Sequence, residues 1–320
     1  MRIRGCIMNA KEYKEAAAKY VALIPASGGS AQTTRGYCGI LNQYGAFLEQ
    51  NGVEKADDAD AIGAWQTSLF ESGASTNTIR HYLTVMRTFF AWCVDRNYCL
   101  RCPIGKDMLP KKQNIKYDLL SLDEIKKLLS AHPNCQKEAT FPRNRAIVLL
   151  IVGTGIRNSE LRDLRLSDID WTNAIITVRN GKGGKFRKVS LPSFCRDALM
   201  DYLRSGIRPY GLSESDWLFG STADESGLNG GAEWHMITSA GICQMIKRYV
   251  YQATGHDMIG THDLRHAFAS LSSYLGASTR DISLVLGHAS EAITQKVYID
   301  ILDKEKAADN INAAMNRLAI

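Results

Sequence analysis

The chain has 320 residues, 45% hydrophobic, 22% charged and 8% aromatic, with a formal net charge of +6. That is ordinary globular composition, and it excludes collagen-like, coiled-coil and largely disordered chains. The length fits two domains, no run of 18 uncharged apolar residues marks a membrane span, and the basic N-terminus lacks the apolar stretch of a signal peptide.

Four helices are predicted in the first 100 residues. Residues 10–24, rich in Ala, Glu and Lys, end at Pro25 with Gly28 and Gly29 beyond. Met8, just ahead, is a possible start alternative to Met1. Residues 33–51 close at Asn51-Gly52, and residues 58–72 begin behind Asp57 and Asp58 as N-cap candidates and stop at Gly73. Residues 76–97 follow Ser75 and Thr76, with Ile79, Tyr82, Leu83, Met86, Phe90 and Cys93 at helical spacing. Arg80 and Arg87, seven apart, lie off that stripe and are expected on a shared exposed face. A small helical DNA-binding domain over 1–110 is the expected product.

Residues 101–117 carry Pro103, Pro110 and five basic residues with little periodicity, and residues 111–116 read as a basic linker. Residues 72–116 hold eight basic and two acidic side chains, which accounts for the whole charge excess of the chain. Such a local surplus suits a polyanion, with Arg80, Arg87, Lys111, Lys112 and Lys116 as candidate contacts; a solvated basic face is the plainer alternative.

A second domain, 117–320, opens with a capping box from Ser121 to Glu124. An apolar helix runs from Arg143 to Val152 and ends at Gly153 and Gly155. Two β-prone runs, 174–179 and 186–191, flank the Asn180–Gly184 turn as a hairpin. Helical patterns resume at 193–205, 236–253, 263–275, 279–286 and 303–318, interrupted by a polar, Gly-rich loop at 221–233. The eight cysteines are expected to be reduced thiols. Cys99 and Cys102 form one CxxC without the second pair of ligands that a structural zinc site needs, so no metal or other cofactor is expected.

Four clusters carry chemistry. TGIRNSEL at 154–161 places Arg157 and Glu160 three apart on one helix face. The hairpin brings Lys182, Lys185, Arg187 and Lys188, within six basic residues and no acid from Arg179 to Arg196. THDLRHAF at 261–268 puts His262 and Arg265 on one face, with His266 a turn from His262. LGHASEAITQKVY at 286–298 ends on Tyr298, ten residues after His288. Singly, each is more often structural. As an ordered set they match the needs of phosphodiester transfer without metal: two arginine forks for the non-bridging oxygens, a tyrosine that can store the phosphodiester covalently, and a lysine that can protonate the leaving alkoxide.

The set resembles the tyrosine recombinases of the phage-integrase family. By that resemblance Arg157, Lys182, His262, Arg265 and His288 are catalytic, Tyr298 is the nucleophile and Glu160 supports the site. Lys185 is the reserve for Lys182, and Lys185, Arg187 and Lys188 join the DNA contacts. The resemblance implies a mainly α fold with a small β-hairpin sheet, in which a helical core-binding domain and a mixed α/β catalytic domain clamp duplex DNA. It implies a cytoplasmic homotetramer on paired core sites, tail exchange through helix 303–318, and an accessory DNA-bending or directionality protein. The expected reaction passes through a 3′-phosphotyrosine and a Holliday junction, with integration or excision of a mobile element as the leading role. A Xer-like resolvase of chromosome dimers, a type IB topoisomerase and a non-catalytic DNA-binding protein are the alternatives.

Overall fold

The computed structural model describes residues 8–113, 120–131, 140–179, 186–221 and 234–287. The chain divides into two compact units, Met1–Lys116 and Tyr117–Ile320. The expected helix 303–318 and the residues Lys116, Lys182, Lys185, His288 and Tyr298 lie outside the described residues.

In the first unit, α1 (Ala10–Leu23), α2 (Ala31–Gln50), α3 (Ala59–Glu71) and α4 (Thr76–Asp95) follow the predicted segments closely. Caps explain why the starts are sharp. Ser75 Oγ accepts from Thr78 N at 3.1 Å, and Asn9 forms a reciprocal box with Glu12 that the helical patterning does not predict. Asp58 holds the cap position of α3 but caps nothing with its side chain, whereas Asp57 Oδ1 accepts from Met8 N at 3.0 Å. Tyr13, Tyr44, Trp65, Phe89 and Phe90 pack at the centre with almost no exposure. The Tyr13 ring meets Tyr44 and Phe89 edge-on at 5.2 and 5.4 Å, the arrangement favoured by the ring quadrupole. Among the described residues no helix is long and apolar enough to cross a membrane.

The second unit is built around α6 (Phe141–Thr154), whose residues from Ala146 to Val152 are all buried. A helix apolar on every side needs neighbours on every side, and α8 (Ser193–Arg204) and α10 (Thr261–Tyr274) pack against it. α5 (Leu122–Ser130) starts on the predicted box, Ser121 N donating to Glu124 Oε2 at 2.8 Å. α7 (Asn158–Arg162), α9 (Ser239–Thr254) and α11 (Thr279–Leu286) complete the described α-helices. The hairpin strands are β2 (Ile175–Val178) and β3 (Arg187–Ser190), paired antiparallel with Ile176 opposite Val189 and Val178 opposite Arg187. β1 (Ile169–Asp170) adds a third strand, and β4 (Gly220–Ser221) pairs with β5 (His235–Met236). These three strands have two residues each, too short for an alternation to be read from sequence.

Candidate active site

α6 stops because Gly155 takes the left-handed conformation, φ 62°, at its C-cap. A side chain there would meet Phe268 and Leu286 at 2.6 Å, so the chain turns tightly against α10 and α11. Two residues on, Arg157 occupies the position before α7. Its backbone N–H donates to Glu160 Oε2 and its Nη1 to Glu160 Oε1, both at 2.8 Å. The expected i, i+3 pair is therefore present, and the Glu160 side chain is only 1% exposed.

Glu160 also receives a second guanidinium. Arg187, on β3, donates from Nη1 to Oε1 at 2.5 Å and from Nη2 to Oε2 at 2.7 Å. Burial alone would push this carboxyl's pKa up. The hydrogen bonds from Arg187 and Arg157 and the charge of Arg187 outweigh it and hold the pKa at about 2. Arg187 and Lys188, expected together as hairpin charges at DNA, part company in the structure. The Arg187 side chain is 13% exposed and committed inward, while Lys188 is exposed. The signal lies in the strand period: Arg187 shares a face with buried Val189, and Lys188 with exposed Ser190.

The third arginine, Arg265, sits on α10 and is 4% exposed. Its Nη1 donates to the Gly155 carbonyl and its Nη2 to the Leu286 carbonyl. Arg157 Nη2 donates to Gly287 O at 2.8 Å, and Arg187 Nε to Val285 O at 3.0 Å. Three arginines thus take three consecutive carbonyls at the end of α11. Helix C-terminal carbonyls lack intrahelical donors and carry the negative end of the macrodipole, so cations are their natural partners. Gly287 is left-handed, φ 61°, which turns the chain out of the helix beside Arg157 and Arg187. His262 is exposed, one turn before Arg265 on α10, and His266 is buried.

In the first unit Arg80 and Arg87 are half-buried rather than exposed. Arg80 Nη1 donates to Pro110 O, and Asn77 exchanges two hydrogen bonds of 3.1 Å with the backbone of Gln113. The stretch up to Gln113 is therefore tied back along α4 instead of running free, and Lys111 and Lys112 stand exposed on it. The CxxC closes the turn after α4, with Cys99 donating to Phe90 O and Cys102 to Arg87 O. Among the described residues, no cluster of His, Cys, Asp and Glu could hold a metal ion.

Residues 118–305 match the phage integrase family, and residues 18–97 match the phage integrase N-terminal SAM-like domain. The chain is similar to tyrosine recombinase XerC of Oceanobacillus iheyensis, 29% identical over 274 residues that cover 83% of this chain and 85% of that protein. It is 30% identical to tyrosine recombinase XerC of Mycobacterium bovis over 280 residues, 87% of this chain and 90% of that one. Among solved structures, the Tn1549 transposon integrase in complex with circular intermediate DNA gives a TM-score of 0.67 at 18% identity, covering 91% of this chain and 95% of that chain. XerH site-specific recombinase bound to its difH substrate gives 0.62 at 21% identity, covering 95% and 85%. At those identities the likeness to both structures is one of fold.

Proposed function

Because the chain belongs to the phage integrase family, we propose that it cuts and rejoins duplex DNA at paired core sites with Tyr298 as the nucleophile. As a tyrosine recombinase it is a DNA strand-transferring enzyme. Arg157 and Arg265 bind the non-bridging oxygens of the scissile phosphate and offset the charge of its five-coordinate transition state. Their field also favours the tyrosinate over a phenol of pKa about 10. As the Tyr298–phosphorus bond forms, the bond to the 5′-oxygen breaks and Lys182 protonates that oxygen; His262 and His288 complete the set. The product is a 3′-phosphotyrosine and a free 5′-hydroxyl. The hydroxyl of a partner duplex then attacks, releasing the tyrosine and building a Holliday junction. The phosphoester is conserved throughout, so the exchange needs no ATP.

The observation that supports this most strongly is the convergence of Arg157 and Arg265, 108 residues apart in sequence, on the adjoining carbonyls of Gly287 and Leu286. The test is a nicked suicide duplex carrying the inverted-repeat core site from the DNA that adjoins the gene. The wild-type chain should form a covalent adduct; Tyr298→Phe should form none while still binding the duplex. An adduct that survives in Tyr298→Phe would overturn the assignment.

Two biological roles use this chemistry. Integration or excision of a mobile element is one; the XerC and XerD names of the relatives favour the other, resolution of chromosome dimers. Deleting the gene separates them, since accumulated chromosome dimers would mark a resolvase and a locked element an integrase. In either role we place four protomers on two sites, with helix 303–318 exchanged between neighbours and an accessory protein setting direction. Deletion of 303–320 should weaken assembly on DNA more than binding of one protomer to a half-site.

A further inference from the structure

Arg187 enters the sequence reading only as one of the hairpin cations expected at DNA, yet all three of its guanidinium nitrogens donate within the site: two to Glu160 and one to the Val285 carbonyl. We propose that Arg187 is a positioning residue for strand cleavage. Through Glu160 it fixes Arg157, and through Val285 it fixes the end of α11, so the phosphate-binding arginine and the chain leading to Gly287 keep one spacing. This rests on the function proposed above and adds a residue to it.

Charge is the first argument. A lone Arg157–Glu160 pair would be close to neutral, and the buried carboxylate would draw the arginine's field away from a phosphate. With Arg187 on the same carboxylate, two guanidiniums share one negative charge, and the trio keeps a net positive charge. Geometry is the second. Glu160 accepts four hydrogen bonds, two on each oxygen, from the Arg157 backbone, the Arg157 side chain and both Nη atoms of Arg187. A bidentate guanidinium supplies direction as well as charge, which a lysine ammonium cannot match. Position is the third. Arg187 lies on β3, Glu160 on α7 and Val285 on α11, so one side chain ties together three elements that the sequence separates widely. A shift of about 1 Å in such a frame can cost about 10²-fold in rate.

The experiment compares adduct formation on the nicked duplex described above. At saturating DNA, Arg187→Met should lower the rate of adduct formation about 10²-fold, with half-site affinity unchanged, because the Arg187 guanidinium is spent on Glu160 and the Val285 carbonyl. Arg187→Lys should fall between, and it carries the test if the Met variant does not fold. The readout that a purely structural part would not move is the pH profile. Only Arg157 and Arg187 present charge to the Glu160 carboxyl among the described residues, so without Arg187 the acid limb of the rate should move to higher pH. Glu160→Gln added to Arg187→Met should recover part of the rate, since the excess negative charge is then gone. Equal rates and an unmoved profile in a folded Arg187 variant, or a further loss on adding Glu160→Gln, would overturn the assignment. A wild-type chain that forms no adduct would instead overturn the proposed function, and this inference with it.

Discussion

At the centre of the first unit lie Tyr13, Tyr44, Trp65 and Phe89; at similar depth in the second lie Glu160, Asp168 and Arg265. The first interior is aromatic, and its two buried phenolic hydroxyls each donate to a carbonyl: Tyr13 to Leu41 O and Tyr44 to Ala56 O, both at 2.9 Å. The second interior contains whole charges. Apolar packing of the same volume is often as stable as a buried ion pair or more so, so stability alone does not account for arginines there. The contrast teaches where each unit has its freedom. The first can exchange one hydrophobic side chain for another; the second is constrained by the partners that its buried charges need.

Changes that test the contrast should separate chemistry from folding. The largest effect is expected at Lys182. Lys182→Ala should slow cleavage about 10²–10⁴-fold, since an alkoxide leaves poorly without a proton. A substrate with sulfur in place of the bridging 5′-oxygen should restore nearly wild-type cleavage, because a thiolate needs no proton. Arg157→Ala and Arg265→Ala should stay defective on both substrates. Rescue of Lys185→Ala instead would move the part to Lys185.

Next in size is a cavity in the aromatic core. Phe89→Ala should destabilise the first unit by about 3–5 kcal/mol. Calorimetry should show the loss in one transition and leave the other where it was. A single transition that shifts as a whole would mean that the units do not fold independently.

Acid should act on the second unit through Glu160. Its pKa is depressed on folding, so its contribution is complete above the ordinary carboxylate value and is lost as pH falls towards about 2. The shift corresponds to about 3 kcal/mol. Urea melts between pH 5 and pH 2 should show this slope, and Glu160→Gln should flatten it. An unchanged slope would place the acid sensitivity elsewhere.

The smallest effect belongs to the basic stretch. If Lys111, Lys112 and Lys116 neutralise phosphates, replacing all three should reduce the slope of log affinity against log salt by about 0.9 for each phosphate that is no longer neutralised. An unaltered slope would make the stretch merely solvated.

Helix starts are legible in the sequence because they are written locally. Ser75 and the Ser121–Glu124 box act within three residues of themselves, and a pattern that short survives in sequence. The Arg157–Glu160 pair is readable for the same reason. The Asn9–Glu12 box is just as local, and its signal is the same three-residue spacing at the head of α1. What sequence does not carry is partnership across distance. Arg187 reaches Glu160 over 27 residues and Val285 over 98, and nothing in a run of hairpin cations tells which one turns inward except its register with Val189. The Arg179–Asp168 pair, joining β2's end to a buried carboxylate, is hidden in the same way. The hold of Arg80 on the Pro110 carbonyl, 30 residues away, is hidden likewise.

The arginine contacts to the end of α11 also bear on synthesis. Arg157 meets a carbonyl 130 residues downstream, Arg187 one 98 downstream, and the Gly155 carbonyl waits for an arginine 110 residues later. A chain emerging from a ribosome at about 5–20 residues per second has its first unit free to fold while none of these partners yet exists. The site can close only when nearly all of the second unit has been made. A chain that stops short of α11 therefore lacks the carbonyls that hold these arginines together.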